Sequence, residues 1–350
     1  MSGKSFLIYG ASGYTGALVA REAARRGLRP VLAGRGPAVR TLADELGLEA
    51  RLFPLDDPAA LRRGLDGQAL VLHCAGPFFH TSAPMAAACV EAGVHYLDIT
   101  GEVAVFESLF ARRRPASQAG VVLLPGVGFD VVPSDCLAAH LKRRLPGATR
   151  LELALLALGR LSRGTATTMV ENLHRGGLVR RGGILTAVPA GHATRQVDFG
   201  RGPRTVVSIP WGDVSTAFHS TGIPDVTVYA AMAGGQRLAL SVLRPLRPLL
   251  GTRAVQSFLK RRVQAGPPGP SDEERARGRS LVWGQARDDS GASVTTRLEG
   301  PEGYAFTVLT ALLAVERVLA GQVEPGFQTP SLAFGPDFVL EIAGVTRSDL

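Results

Sequence analysis

From residue 6 to residue 124, short apolar runs alternate with stretches whose apolar residues recur every three or four positions. The first run, Phe6-Leu7-Ile8-Tyr9, stops at Gly10, and a helical pattern carrying Leu18, Val19 and Ala23 continues to Gly27, closed by basic residues and a glycine. The same reading predicts strands over 30–33, 50–55, 69–74, 95–99 and 121–124. It predicts helices over 37–46, 82–92 and 103–114, with a further helix opened by Asp57 as cap and Pro58 in its first turn. The run A-L-V-L-H-C at 69–74 is apolar almost throughout, as a strand covered on both faces requires. Six strands alternating with helices predict an α/β fold, a doubly wound parallel sheet of Rossmann type whose ligands lie outside the carboxyl ends of its strands.

Near Pro146-Gly147 the alternation stops. Strands are predicted over 151–158, 195–199, 205–209 and 225–231, and a helix over 165–175. Residues 280–287 and 293–298 form a hairpin about Asp289-Ser290-Gly291. Residues 265–278 read as a loop, 303–319 as a strong helix, and the tail from 326 as extended. The expected organisation is a Rossmann domain over 1–145, an α+β domain with a mixed, mostly antiparallel sheet over 146–302, and a C-terminal helix and tail over 303–350.

The candidate chemistry gathers at the carboxyl ends of the predicted strands. After the first comes Gly10-Ala11-Ser12-Gly13-Tyr14-Thr15-Gly16, with a helix directly behind it. A pyrophosphate needs bare backbone N–H groups and the positive end of a helix dipole, and glycine lets it come close. Gly10 suits the tight turn, Gly13 the close approach and Gly16 the packing of helix on strand. After the second strand stands Arg35. A guanidinium there favours a 2'-phosphate, where a carboxylate would favour ribose hydroxyls, so the expected cofactor is NADP(H).

The remaining strand ends supply Asp56, Ala75-Gly76-Pro77 with His80 beyond, Asp98 through Gly101 and Glu102, and Gly126 to Asp130 followed by Pro133-Ser134-Asp135. Asp56, Ala75, Gly76, Pro77, Gly101 and Glu102 are expected near the cofactor, with Asp56 toward the adenine. His80, Asp98 and Asp130 are the candidates for proton transfer or substrate orientation. The same residue types also make turns, helix caps and ordinary surface hydrogen bonds, and both readings stay open on sequence alone.

Composition narrows the classes. With 45% hydrophobic and 20% charged residues over 350 positions, the chain is globular and long enough for two cores. The net charge of +9 would point to nucleic acid, but only Lys4, Lys142 and Lys260 are lysines among 39 basic residues. That skew is a bias toward arginine, and no nucleic-acid partner is expected. Cys74, Cys89 and Cys136 form no C-x-x-C pair, no metal cluster stands out, and no targeting or membrane-spanning segment is read, so reduced core thiols and a cytoplasmic location are expected. Residues 237–250 interleave leucines with arginines. They either pack their leucines inward or meet an acidic carrier or a membrane surface.

Five motifs in order, I-Y-G-A-S-G-Y-T-G, A-G-R, C-A-G-P-F, Y-L-D-I-T-G-E and G-V-G-F-D-V-V-P-S-D, resemble the saccharopine dehydrogenase-like oxidoreductases, and within them the bacterial trans-acting enoyl reductases. R-G-T-A-T-T-M at 163–169, T-G-I-P-D at 221–225 and G-Y-A-F-T at 303–307 extend the likeness along the chain. The resemblance implies an NADP-binding Rossmann domain, a following α/β domain, and a C-terminal helix packed back toward the first. It also implies an NADPH-dependent oxidoreductase, with reduction of the C=C bond of an acyl or lipid-like substrate as the expected reaction and an acyl carrier as a possible partner. Reduction of an amino-acid-derived C=N adduct, and a sensor or assembly protein that binds NADP without turnover, are the alternatives. An oligomer is compatible with all three.

Overall fold

The computed structural model describes residues 5–231 and 247–350. The Leu/Arg stretch at 237–250 therefore lies largely outside the described residues, and only its end, Arg247–Leu250, is seen, as a short helix. The chain forms two compact units. The first runs to Val132 and takes in Tyr304–Phe334; the second comprises Pro133–Gly303 and Gly335–Leu350.

In the first unit, β1 (Phe6–Tyr9), β2 (Val31–Gly34), β3 (Ala50–Leu52), β4 (Leu70–His73), β5 (His95–Asp98) and β6 (Val122–Leu124) build a parallel sheet in the order β6-β5-β4-β1-β2-β3. β1 and β4 are buried at every residue, as the apolar run of β1 and of Leu70-Val71-Leu72 in β4 demands, with His73 buried at the end of β4. Helix Tyr14–Arg25 buries Val19, Ala20 and Ala23. Fully burying such side chains as Leu7, Leu32 and Leu72 contributes roughly 1.5 to 3 kcal/mol each. The strand order reverses between β1 and β4, so the crevice for a ligand opens beyond Gly10 and Ala75.

The sheet has a seventh strand that the sequence reading omitted. Gly326–Phe327 pairs with β6, through Gly326 N–H to the Val121 carbonyl at 2.8 Å and Gln328 N–H to the Leu123 carbonyl at 2.9 Å. The predicted helix over 103–114 is two, Val103–Ala111 and Arg113–Gln118, because Pro115 has no N–H to offer the Ala111 carbonyl. Asp57 caps helix Pro58–Leu65 as expected, accepting from Ala59 and Ala60 N–H at 2.9 and 3.0 Å.

The second unit is built on a sheet ordered Thr194–Asp198, Pro203–Ser208, Asp225–Ala231, Arg150–Leu158, Arg279–Arg287, Ser293–Pro301, Thr346–Asp349. Along this path only Arg150–Leu158 and Asp225–Ala231 run parallel. A hairpin of Gly177–Arg181 and Ile184–Val188 joins at Asp225–Ala231. Ala154, Val197, Phe199, Val206, Tyr229, Leu281 and Trp283 form an apolar core on this sheet. Residues 265–278, read as a loop, contain helix Asp272–Arg277, held by a capping box in which Ser271 and Glu274 each bond the other's backbone N–H.

Candidate functional site

The turn after β1 has the geometry that its glycines predict. Gly10 sits at φ +83°, and a Cβ there would lie 2.8 Å from both the backbone N and the Cβ of Ala75. Gly10 and Ala11 donate their N–H groups to the Ala33 carbonyl at 2.8 and 3.1 Å, tying the turn to β2. A Cβ on Gly16 would overlap the Gly10 carbonyl oxygen, so helix and strand approach at glycine separation. Gly13 is the N-cap of helix Tyr14–Arg25; no side chain caps that helix, and its first turn carries no acid. Ser12 and Gly13 are exposed at the lip, Tyr14 and Thr15 half-buried behind them, and Tyr14 packs edge-on against Tyr304 at 5.1 Å. A bare helix N-terminus behind a lip that a Cβ would fill fits a pyrophosphate.

Arg35 extends beyond the end of β2, exposed, and makes no hydrogen bond or ion pair among the described residues. Its charge and that of Asp56 both act on the Tyr9 hydroxyl. Burial pushes that hydroxyl up to about 12, Arg35 pulls the other way, and Asp56 adds to the rise. Tyr9 was not singled out from sequence. It donates to the Phe53 carbonyl at 3.0 Å and pins the loop that carries Asp56 to the end of β1.

On the far side of β1, Ala75-Gly76-Pro77 follows β4, with a cis bond between Gly76 and Pro77. The Thr81 hydroxyl donates to the Ala75 carbonyl at 2.6 Å and lies 3.0 Å from His73 Nε2. His73 is wholly buried at the end of β4, and burial holds its imidazole down to about 3, so it is neutral. Helix Phe78–Ala92 begins earlier than predicted, which corrects the placement of His80: it belongs to the first helical turn, exposed, with its ring tilted 37° to that of Phe79 and their centres 3.6 Å apart.

Glu102 explains the early start. Its carboxylate accepts the N–H groups of Phe78 at 2.8 Å and Phe79 at 3.0 Å, closing the amino end of that helix from 24 residues away. Asp98 is fully buried at the end of β5 and accepts from Thr100 N–H at 3.0 Å, Gly126 N–H at 3.0 Å and the Tyr96 hydroxyl at 2.7 Å. Burial nonetheless pushes its carboxyl up to about 6. Asp98 thereby ties the loops after β5 and β6 together.

Asp130 comes from the loop after β6 and lies against Gly101, where an added Cβ would stand 2.9 Å from its Oδ2. Burial first, and then the Glu102 charge, push the Asp130 carboxyl up to about 7. That loop is fixed by helix Gly303–Leu319: the Thr307 hydroxyl oxygen accepts from Phe129 N–H at 3.0 Å, and the Thr310 hydroxyl donates to the Val127 carbonyl at 2.8 Å. Ser134 and Asp135 belong to the second unit. There the Ser134 hydroxyl donates to buried Asp213 at 2.8 Å, and Asp135 accepts from Ser220 at 2.7 Å.

The first unit thus presents two stations on opposite sides of the switch point. Arg35 stands beyond β2, and Gly101 and Asp130 stand beyond β5 and β6. With strands about 4.8 Å apart, β2 and β5 are roughly 14 Å from each other, a separation suited to an extended dinucleotide laid across the sheet ends.

Comparison with known proteins agrees with this geometry. Residues 6–124 match the saccharopine dehydrogenase NADP binding domain. A trans-acting enoyl reductase of Mycobacterium ulcerans is 35% identical over 147 residues, 39% of this chain and 35% of that protein. A saccharopine dehydrogenase-like oxidoreductase of Bos taurus is 28% identical over 164 residues, 40% of this chain and 38% of the relative. These matches span little more than a third of the relatives' length. Among solved structures, saccharopine dehydrogenase (L-Glu forming) of Saccharomyces cerevisiae has the same fold, with a TM-score of 0.68 over 99% of this chain and 100% of that one at 13% identity. Residues 6–124 are thus an NADP-binding domain of the saccharopine dehydrogenase type, and the chain as a whole shares the fold of the yeast enzyme.

Proposed function

We propose that this protein uses NADPH to reduce the C=C bond of an enoyl substrate, acyl or lipid-like, with Asp130 as the proton donor. The observation that carries the reading is the placement of Asp130, set against Gly101 in the loop after β6 at the carboxyl ends of the strands, where burial and the Glu102 charge push its carboxyl up. An acid that keeps its proton near neutrality, yet releases it readily, is what the second half of such a reduction needs. The enoyl assignment draws on the name carried by the Mycobacterium ulcerans relative.

NADPH supplies the hydride. Arg35 would hold the 2'-phosphate by a charge-assisted, bidentate contact, and the Gly10 to Gly16 turn would hold the pyrophosphate against the helix N-terminus. Ala75 to Pro77 would fix the approach to the nicotinamide end, positioned by Glu102 through the N–H groups of Phe78 and Phe79. As hydride reaches the β-carbon, charge builds on the acyl oxygen, and the Asp130 carboxyl gives its proton to the α-carbon. Asp98 is a positioning residue, holding the Thr100 and Gly126 backbones so that Gly101 and Asp130 meet. His80, exposed and set against the Phe79 ring, has no part in the proposed transfer.

Stopped-flow mixing of the NADPH-bound protein with enoyl thioesters, free or on an acyl carrier, tests this. The expected result is substrate-dependent loss of reduced cofactor that drops about 10²- to 10⁴-fold in Asp130→Asn, with NADPH affinity retained. Turnover of imines alone would favour the C=N reading. Cofactor binding with no consumption across enoyl and imino panels would mark a protein that binds NADP without catalysis.

A further inference from the structure

The second unit holds a cavity of about 400 Å³ that the reaction above does not use. The register of the sheet builds it. Asp225, Arg150 and Arg287 lie side by side on three adjacent strands, and two residues along each strand Thr227, Glu152 and Gln285 form the next row of the same face. The strand Gly177–Arg181 closes the remaining side: Arg180 pairs with Val226 and shares its face of the sheet, so Arg181 is the one of the two on the face of Asp225 and Thr227.

Three arginines, Arg150, Arg181 and Arg287, therefore meet at a cavity whose lining also includes two carboxylates. One of these, Glu152, is committed elsewhere: it pairs with Arg195, which also stacks over Trp283 at 4.6 Å, and it accepts the Tyr229 hydroxyl at 2.9 Å. Asp225 accepts Gly182 N–H at 2.7 Å. Arg150, Arg181 and Arg287 make no ion pair among the described residues, and Arg287 bonds only the neutral Gln285 side chain, at 2.7 and 3.1 Å. Arg150 and Arg287 are directly opposed across the ladder, an arrangement in which like charges repel and destabilise. Arg180 is 95% buried, given its relative exposure of 5%. It is locked in place by bonds to the Val214 and Gly183 carbonyls at 2.8 Å each, with its guanidinium 4.3 Å from the Phe218 ring centre. The uncompensated field reaches His192, whose imidazole is held down by burial and then by the charge of Arg181.

From this we infer a phosphate-ester site, in which Arg150, Arg181 and Arg287 grip the anion. Guanidinium groups match phosphate oxygens two at a time, and a phosphomonoester carries nearly two charges at neutral pH, so one such group offsets the repulsion that a single carboxylate would leave. The volume suits a phosphate with a small organic portion. Either the diphosphate end of a coenzyme A-like thioester or a small phosphorylated metabolite would supply that chemistry.

Calorimetric titration of inorganic pyrophosphate into the full chain, already saturated with NADP so that the first unit's anion site is filled, tests the site. Binding is expected, weakening with salt, and roughly 10- to 100-fold weaker in the Arg150→Gln, Arg287→Gln double variant. Because those side chains are exposed and repel each other, the double variant without added anion should melt no lower than the parent. Coenzyme A binding well above pantetheine would identify the thioester source. Pyrophosphate and simple phosphate esters binding, with coenzyme A no better, would identify a small metabolite. Absence of pyrophosphate binding, or equal binding by a folded double variant, overturns the proposal.

Discussion

Glu102 accepts the backbone N–H groups of Phe78 and Phe79, so one carboxylate both closes a helix and sets the charge felt by Asp130. Glu102→Gln keeps an acceptor for the helix while removing the charge. The Asp130 carboxyl should then titrate lower than about 7, because one of the two causes of its rise is gone. If Asp130 must be protonated to act, activity falls as pH rises through that value, and in Glu102→Gln the fall moves to more acidic pH. A pH profile of kcat/KM measured on both proteins decides the matter; coincident profiles would detach Asp130 from the proton transfer.

The standing of Arg35 is a matter of selectivity. Nothing among the described residues competes for its guanidinium, and Asp56, which shares its neighbourhood at the Tyr9 hydroxyl, repels phosphate. Arg35→Ala should therefore lose a charge-assisted contact of about 1.5 to 3 kcal/mol, or roughly 10- to over 100-fold in NADPH affinity, with NADH little changed. Fluorescence titration with each cofactor measures it. A loss of equal size for both would mean that Arg35 supports the loop and does not read the 2'-phosphate.

What could be read from the sequence was what neighbouring residues decide among themselves. Gly10, Gly13 and Gly16 announce their turn, and Asp57-Pro58 its cap, because the constraint and the residue that meets it lie within a few positions. Glu102 closing the helix at Phe78, and Asp98 bridging Thr100 to Gly126, depend on chain that returns from 24 and 28 residues away, so periodicity could not reveal them and His80 was set in a loop. The Gly326–Phe327 strand is too short to show any period, and only its place beside β6 makes it a strand. A signal did exist for the hairpin Gly177–Arg181 and Ile184–Val188. Gly182 and Gly183, both at positive φ, are the pair that a two-residue turn demands.

Asp98 also makes folding pH-dependent, with a sign opposite to that of an ion-paired carboxylate. Its folded pKa of about 6 lies above the ordinary 3.8, so the native state binds the proton more tightly than the unfolded chain. The stabilisation is complete below about pH 4 and is lost as pH rises through 6, amounting to on the order of 3 kcal/mol at roughly 1.4 kcal/mol per pH unit. Asp98→Asn retains an oxygen for the Thr100 and Gly126 N–H groups but cannot titrate. Taking the difference in urea stability between parent and variant cancels the contribution of Asp130, which titrates in both. That difference should shift against the parent between pH 4 and pH 6 and stay level above pH 7. A difference independent of pH would show that the three donors around Asp98 hold its charge as comfortably as water does.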